Sequence, residues 1–252
     1  MRLVAAYDWG LIWENKEDLL RGLVVALEVS AVALVLSVVI GLVLAVARMS
    51  KPPISWLAAL YVNVFRGVPA LVSVIWVYFG VSLLLGINFT VFQAGVIALT
   101  LLYSAFISEV YRAALQAIPR GQREAGLALG MHPVRIFVQV TLPQATKIAI
   151  PNIGSMFIGM IKDTSTFTVI GLLEVTRVTQ NLNSTTFQPF VLYTAAAALY
   201  VAAAFFFDFL FRAIEKSLTT PPKGGIAKFV TGRRRRRIDF VVKDLEALSG
   251  RT

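Results

Sequence analysis

The chain has 252 residues, 57% of them hydrophobic, with a mean hydropathy of +0.74 and a formal net charge of +10. Soluble domains are about 45–50% apolar by a comparable count, so the composition points to a membrane protein. With no cysteine and one histidine the chain excludes disulfides and suggests no metal site.

Residues 1–21 mix acids, bases and two tryptophans, Trp9 and Trp13, which suit the headgroup level of a bilayer. No basic region and small-residue cleavage site precede the first apolar run, so no removed signal peptide is expected. That run, Gly22–Ala47, is interrupted only by Glu28 and exceeds the roughly 20 residues needed to cross a bilayer. A basic turn with Arg48, Lys51, Pro52 and Pro53 ends it. A second span is expected from about Trp56 to Leu85, with Asn63, Arg66, Gly67 and Pro69 in its first half. The third is Val91–Ala117, the fourth Ile148–Ile170 and the fifth Gln188–Phe211, with 171–187 as a polar loop between the last two.

Between the third and fourth spans lies a basic but strongly punctuated stretch, 120–145, RGQREAGLALGMHPVRIFVQVTLPQA. Gly121 and Gln122 open a helical pattern with Glu124 in its first turn, where a negative charge suits the helix dipole. Gly130 stands where a left-handed cap wants no Cβ, and Pro133 suits the first position of a new helix. The second helix would carry Val134, Phe137, Val138 and Leu142 on one face and stop at Pro143. The pattern reads helix, sharp turn, helix. His132, in the turn, reads as a cap or a surface contact.

Five spans place the termini on opposite sides. If 120–145 is cytoplasmic, sixteen Lys and Arg lie inside and four outside, with four more within or at the ends of spans. The positive-inside rule then puts the N-terminus out and the C-terminus in. Residues 22–214 form the five-span domain, and 215–252 a basic cytoplasmic tail whose joint is Pro221, Pro222, Gly224 and Gly225. The tail's run Arg233–Arg237 suits anionic lipid, at about 1 kcal/mol per charge near the surface. It shows no nucleic-acid recognition fold, so no nucleic-acid partner is expected.

Charges inside spans cost roughly 2.5–3.5 kcal/mol each on insertion scales, so they face an interior path or pair. Glu109 and Arg112 are three apart on one helix face and can pair, as can Asp208 and Arg212 at four. Asp163, Thr164 and Ser165 form a polar patch beside Lys162 in the fourth span, suited to hydrogen-bonding a zwitterion at depth. Glu109, Asp163, Thr164 and Ser165 are the candidates for a substrate path. Pro151, Gly154 and Gly159 would let the fourth helix bend or pack closely.

Glu124-Ala125-Gly126, Gly130 and Val140-Thr141-Leu142-Pro143 resemble the E-A-A-x-x-x-G-x9-I-x-L-P loop of permease subunits of ATP-binding-cassette importers. Gly126 stands in place of alanine and Val140 in place of isoleucine. Phe65-Arg66-Gly67-Val68-Pro69 is similar to the F-R-G-T-P signature of the amino-acid branch, and Lys162-Asp163-Thr164-Ser165 to its K-D-T-S. Ser108-Glu109-Val110-Tyr111-Arg112 is similar to A-E-I-x-R, and Ile118-Pro119-Arg120-Gly121-Gln122 keeps the register of the I-P-x-G-Q that follows. The resemblance spans roughly residues 8–216.

The resemblance implies an all-α, five-helix, type I importer permease (MetI-like) fold in the plasma membrane of a prokaryote, carrying a polar amino acid. It implies that Gln122, Glu124, Ala125, Gly126, Gly130, Leu142 and Pro143 dock into ATPase subunits. It also implies two such ATPases, a second permease copy or paralogue, and an extracytoplasmic amino-acid-binding protein. The chain lacks a G-x-x-x-x-G-K-[ST] loop, so it is not expected to be an enzyme or to bind a cofactor; ATP with magnesium would be hydrolysed by the partner. Rival readings are a proton-coupled transporter using Glu109 or Asp163, a channel or scaffold, and an importer of another small solute such as methionine.

Overall fold

The computed structural model describes residues 7–219, and every element among them is helical. The arginine run and the rest of the expected tail beyond residue 219 lie outside the described residues. The described part divides after Arg212, beyond which 213–219 form the last turns of the final helix.

A short α1, Gly10–Glu14, leads into α2, Lys16–Arg48, which starts six residues before the first apolar run. The second span is broken rather than continuous: α3, Ile54–Gly67, is followed by α4, Ala70–Ile75, which opens an arm, Ala70–Leu85, bent 109° from α3. Pro69 is the cause. It has no N–H to offer, and it drives Val68 into the extended region at ψ 128°. The second arm continues through a π-helical turn, Trp76–Val81, into α5, Ser82–Leu85. α6, Val91–Gln116, matches its expected span and opens on a capping box, Thr90 with Gln93.

The loop stretch forms α7, Arg120–Ala128, and α8, Pro133–Ile136. Pro143 does not stop the chain. The chain stays helical through a π turn at Phe137–Thr141 into α9, Leu142–Asp163, so Pro143 lies directly after that wider turn, inside a continuous helix. A 3-10 segment, Thr164–Ile170, extends α9. The polar loop expected at 171–187 is largely a helix, α10, Val175–Thr186, set at 48° to the preceding arm. α11, Pro189–Thr219, runs eight residues past the expected fifth span. Among the described residues three helices are long and apolar enough to cross a membrane, or five spans if each bent pair counts as one.

α6 is the axis of the domain: 67% of its most apolar window is buried, against 33% for α2 and 28% for α11. α2 lies along it through small residues. Gly22, Ala26, Ser30, Ala33, Ser37, Gly41 and Ala45, at steps of three and four, are all buried. A Cβ on Gly41 would stand 2.8 Å from Ile107 Cγ2, so α2 and α6 approach as closely as small residues allow. α9 and α11 close the same way. A Cβ on Gly154 would come within 2.6 Å of the Phe211 ring, and Phe157 packs edge-on to Phe207 at 4.9 Å.

Candidate functional site: elbow, arginine cluster and cavity

The elbow between α6 and α9 is built by local hydrogen bonds. Gly130 has φ +72°, and its N–H donates to the Leu127 carbonyl at 2.9 Å while the Met131 N–H donates to Gly126 at 3.0 Å. These are the paired bonds of a Schellman cap. On the other side of the turn His132 caps α8, its Nδ1 accepting from the Val134 N–H at 3.4 Å. α7 starts at Arg120, so Glu124 sits in the second turn and gains little from the dipole.

The apolar face expected at Val134, Phe137, Val138 and Leu142 does not hold together. Ile136 is the buried anchor, whereas Val134 is 63% and Val138 52% exposed. The π turn beginning at Phe137 shifts the register away from an α-helical face. Ile136 also explains the departure at Gly126: a Cβ there would lie 2.8 Å from Ile136 Cγ1. The glycine lets α7 settle on α8. Replacing Gly126 by Ala should cost about 1–2 kcal/mol by overpacking, measured as a lower melting temperature, and combining it with Ile136→Ala, which removes the Cγ1 and Cδ1 atoms it would strike, should cost less than the sum of the two single changes. Gln122, Glu124 and Ala125 are exposed, Leu142 is half-buried and Pro143 is exposed. Leu129, 81% exposed, adds apolar surface to the same elbow. Behind the elbow a cleft of about 760 Å³ is lined by Ser50, Gln116, Arg120, Arg123, Ile136 and Phe137 among others.

Glu109 is the hub of a larger cluster than its sequence neighbour suggested. It accepts from Arg112 Nε at 2.8 Å, as the spacing predicts, and from Arg48 and Arg66 as well. Arg48 ends α2 and Arg66 nearly ends α3, so one carboxylate joins three helices. The Arg66 guanidinium also lies 5.8 Å from the centre of the Phe106 ring.

Phe106 leads to a cavity of about 490 Å³ whose lining includes Tyr103, Asn152, Ser155, Gly159 and Asp163. Tyr103 donates to Asp163 Oδ2 at 2.9 Å. Gly159 makes room for that tyrosine, since a Cβ would fall 2.7 Å from its hydroxyl oxygen. Thr164 is fully buried and donates to the Ile161 carbonyl, while Ser165 donates to Lys162; neither lines this cavity. Asp163 is thus the member of the K-D-T-S stretch that the cavity and Tyr103 bring together with α6.

One buried carboxylate went unnoticed in the sequence. Glu174 caps α10, accepting from the Thr176 and Arg177 N–H groups at 2.8 Å each, and receives the Tyr200 hydroxyl of α11. Gly22 brings α2 against the same corner, where a Cβ would stand 2.9 Å from Val175 N. An acid directly before a Val-Thr-Arg run was the available sign of a helix N-cap.

The described residues thus combine apolar helices long enough to cross a membrane with a charged cluster, an open cavity and a capped elbow. The chain belongs to the family described as binding-protein-dependent transport system inner membrane component, which matches residues 37–220. It is 34% identical over 201 residues to the arginine transport system permease protein ArtQ of Bacillus subtilis (strain 168), covering 79% of this chain and 92% of that one. It is 33% identical over 214 residues to the glutamine transport system permease protein GlnP of Escherichia coli (strain K12), covering 84% and 98%. A crystal structure of an amino acid ABC transporter with histidines superposes with a TM-score of 0.76 at 34% identity, covering 83% of this chain and 98% of that one. An inward-facing MetNI methionine ABC transporter shares the fold at 22% identity, with a TM-score of 0.72 over 82% of this chain and 99% of that one.

Proposed function

We propose that this chain is the permease subunit of an ATP-driven importer of a polar amino acid, and that its elbow is the part that receives work from a separate ATPase. The observation that carries the reading is the elbow itself. A helix end fixed by two backbone bonds and a packed glycine presents exposed Leu129, Val134 and Glu124 outward. Such a surface suits a partner protein better than water, because large apolar side chains at a rigid tip gain by being covered.

The five-span topology follows if each bent pair crosses once, with the N-terminus outside and the C-terminus in the cytoplasm. That orientation agrees with the bias of sixteen basic residues against four. Gln122, Glu124, Ala125, Gly126, Gly130, Leu142 and Pro143 make up the docking element. Two ATPase subunits, which hold ATP and magnesium, a second permease subunit and an external binding protein complete the assembly in the bacterial plasma membrane. The names of the arginine and glutamine relatives favour an amino-acid cargo.

Asp163 meets the cargo in this reading, its carboxylate facing an ammonium group in a cavity walled by Tyr103 and Phe106. Glu109, Thr164 and Ser165 contribute from behind, by holding the arginines and the turn that carries Asp163. The test is uptake of radiolabelled arginine and glutamine into proteoliposomes holding the permease, its ATPase and its binding protein. Uptake should require ATP, and Asp163→Asn should lower it at least tenfold, as loss of a charge-assisted bond implies. Uptake that ignores ATP and follows a proton gradient would reject the reading.

A further inference from the structure

We infer that Arg66, backed by Arg112 and Arg48, is a binding station for the carboxylate of the transported amino acid, on the elbow side of the Asp163 cavity. This inference rests on the importer reading above.

The charge balance motivates it. Among the described residues the three guanidinium groups form ion pairs with Glu109 alone, leaving an excess of two positive charges. The sharing is uneven. Arg48 takes Glu109 Oε1 and Arg112 takes Oε2 through two nitrogens, each at 2.8 Å. Arg66 reaches the already occupied Oε1 at 3.3 Å and keeps 44% of its side chain exposed, against 17% for Arg48. Arg66 is therefore the guanidinium with donor capacity to spare, and a planar fork of donors matches a carboxylate.

Its position relates it to the cavity. The Arg66 guanidinium stands by the Phe106 ring, and Phe106 is itself part of the cavity wall that includes Asp163 and Tyr103. Tyr103, Phe106 and Glu109 follow one another at three-residue steps on α6, so the step from the Asp163 partner to the arginine hub is about 9 Å along the helix. A negative station and a positive one thus flank the same aromatic wall. A zwitterion moving toward the elbow leaves Asp163 with its ammonium and meets Arg66 with its carboxylate. Glu109 keeps the arginines apart and oriented while no cargo is there, and is displaced from Arg66 alone when cargo arrives.

The experiment uses the permease–ATPase complex in nanodiscs, without binding protein. The probes are whichever of arginine and glutamine the wild type imports, and the carboxamide of the same amino acid. The free acid should bind at least tenfold tighter than the carboxamide to wild type. R66Q should abolish that ratio, and R66K should keep part of it, with ATP hydrolysis reporting an intact complex in every case. An acid-to-amide ratio unchanged in a hydrolysing R66Q complex would overturn the proposal while leaving the importer reading in place. A ratio that collapses when phosphatidylglycerol replaces phosphatidylcholine would give the station to a lipid phosphate and also overturn it. Failure of the wild type to import either amino acid would remove the parent reading and this one together.

Discussion

Gly130→Val is expected to abolish coupling while leaving the membrane domain folded. The left-handed backbone at φ +72° is open to glycine but costs a β-branched residue at least about 1–2 kcal/mol. The helix end has an alternative: it frays, giving up the bonds from Gly130 to Leu127 and from Met131 to Gly126. α7 would then lose its fixed angle to α8. ATP-driven uptake should fall at least tenfold, with ATP hydrolysis no longer stimulated by loaded binding protein. Gly130→Asn is the control, because asparagine tolerates this conformation and should retain most of the activity. Full uptake by the valine variant would mean that the rigidity of the elbow is not what transmits force.

Glu109→Ala should destabilise the domain markedly. It leaves Arg48, Arg66 and Arg112 facing one another across the ends of three helices. Removing one partner of a fully buried pair costs about 3–5 kcal/mol; with Glu109 one-fifth exposed and two of the arginines a third or more, roughly 2–3 kcal/mol is expected. Thermal unfolding in detergent should record a drop of roughly 5–10 °C. The deficit should shrink as salt screens the arginines, and adding Arg66→Gln should recover part of it. An unchanged melting temperature would mean that packing alone, not the carboxylate, holds the three helices together at this end.

The parts of this molecule that were legible in the sequence are the ones determined locally. The elbow was visible because Gly130 and Pro133 fix backbone geometry within a few residues, and the capping bonds span no more than five positions. The long apolar runs marked α2, α6 and α11 for the same reason. The pairing of Glu109 with Arg112 was readable because it is an i, i+3 pair. Arg48 was not, since it meets Glu109 from 61 residues away and only after α2 and α6 have packed. The packing itself left a trace that hydropathy obscured: Gly22, Ala26, Ala33, Ser37, Gly41 and Ala45 form a small-residue stripe along a helix whose long apolar run has no polar face to set it off. The break at Val68–Pro69 was written in the proline, yet hydropathy reads straight across it. α10 was missed because its threonines and asparagines resemble loop composition, and its fold depends on burying Val175 and Thr179 against neighbours.

Because the chain has no cysteine, a single Leu129→Cys provides a unique probe at the most exposed apolar point of the elbow. An impermeant thiol reagent should label it in inverted membrane vesicles and not in intact cells, and co-assembly with the ATPase should protect it. Cross-linking from this position should then recover the ATPase subunit. Labelling from outside the cell, or a cysteine that the ATPase neither shields nor cross-links to, would contradict the account at its centre.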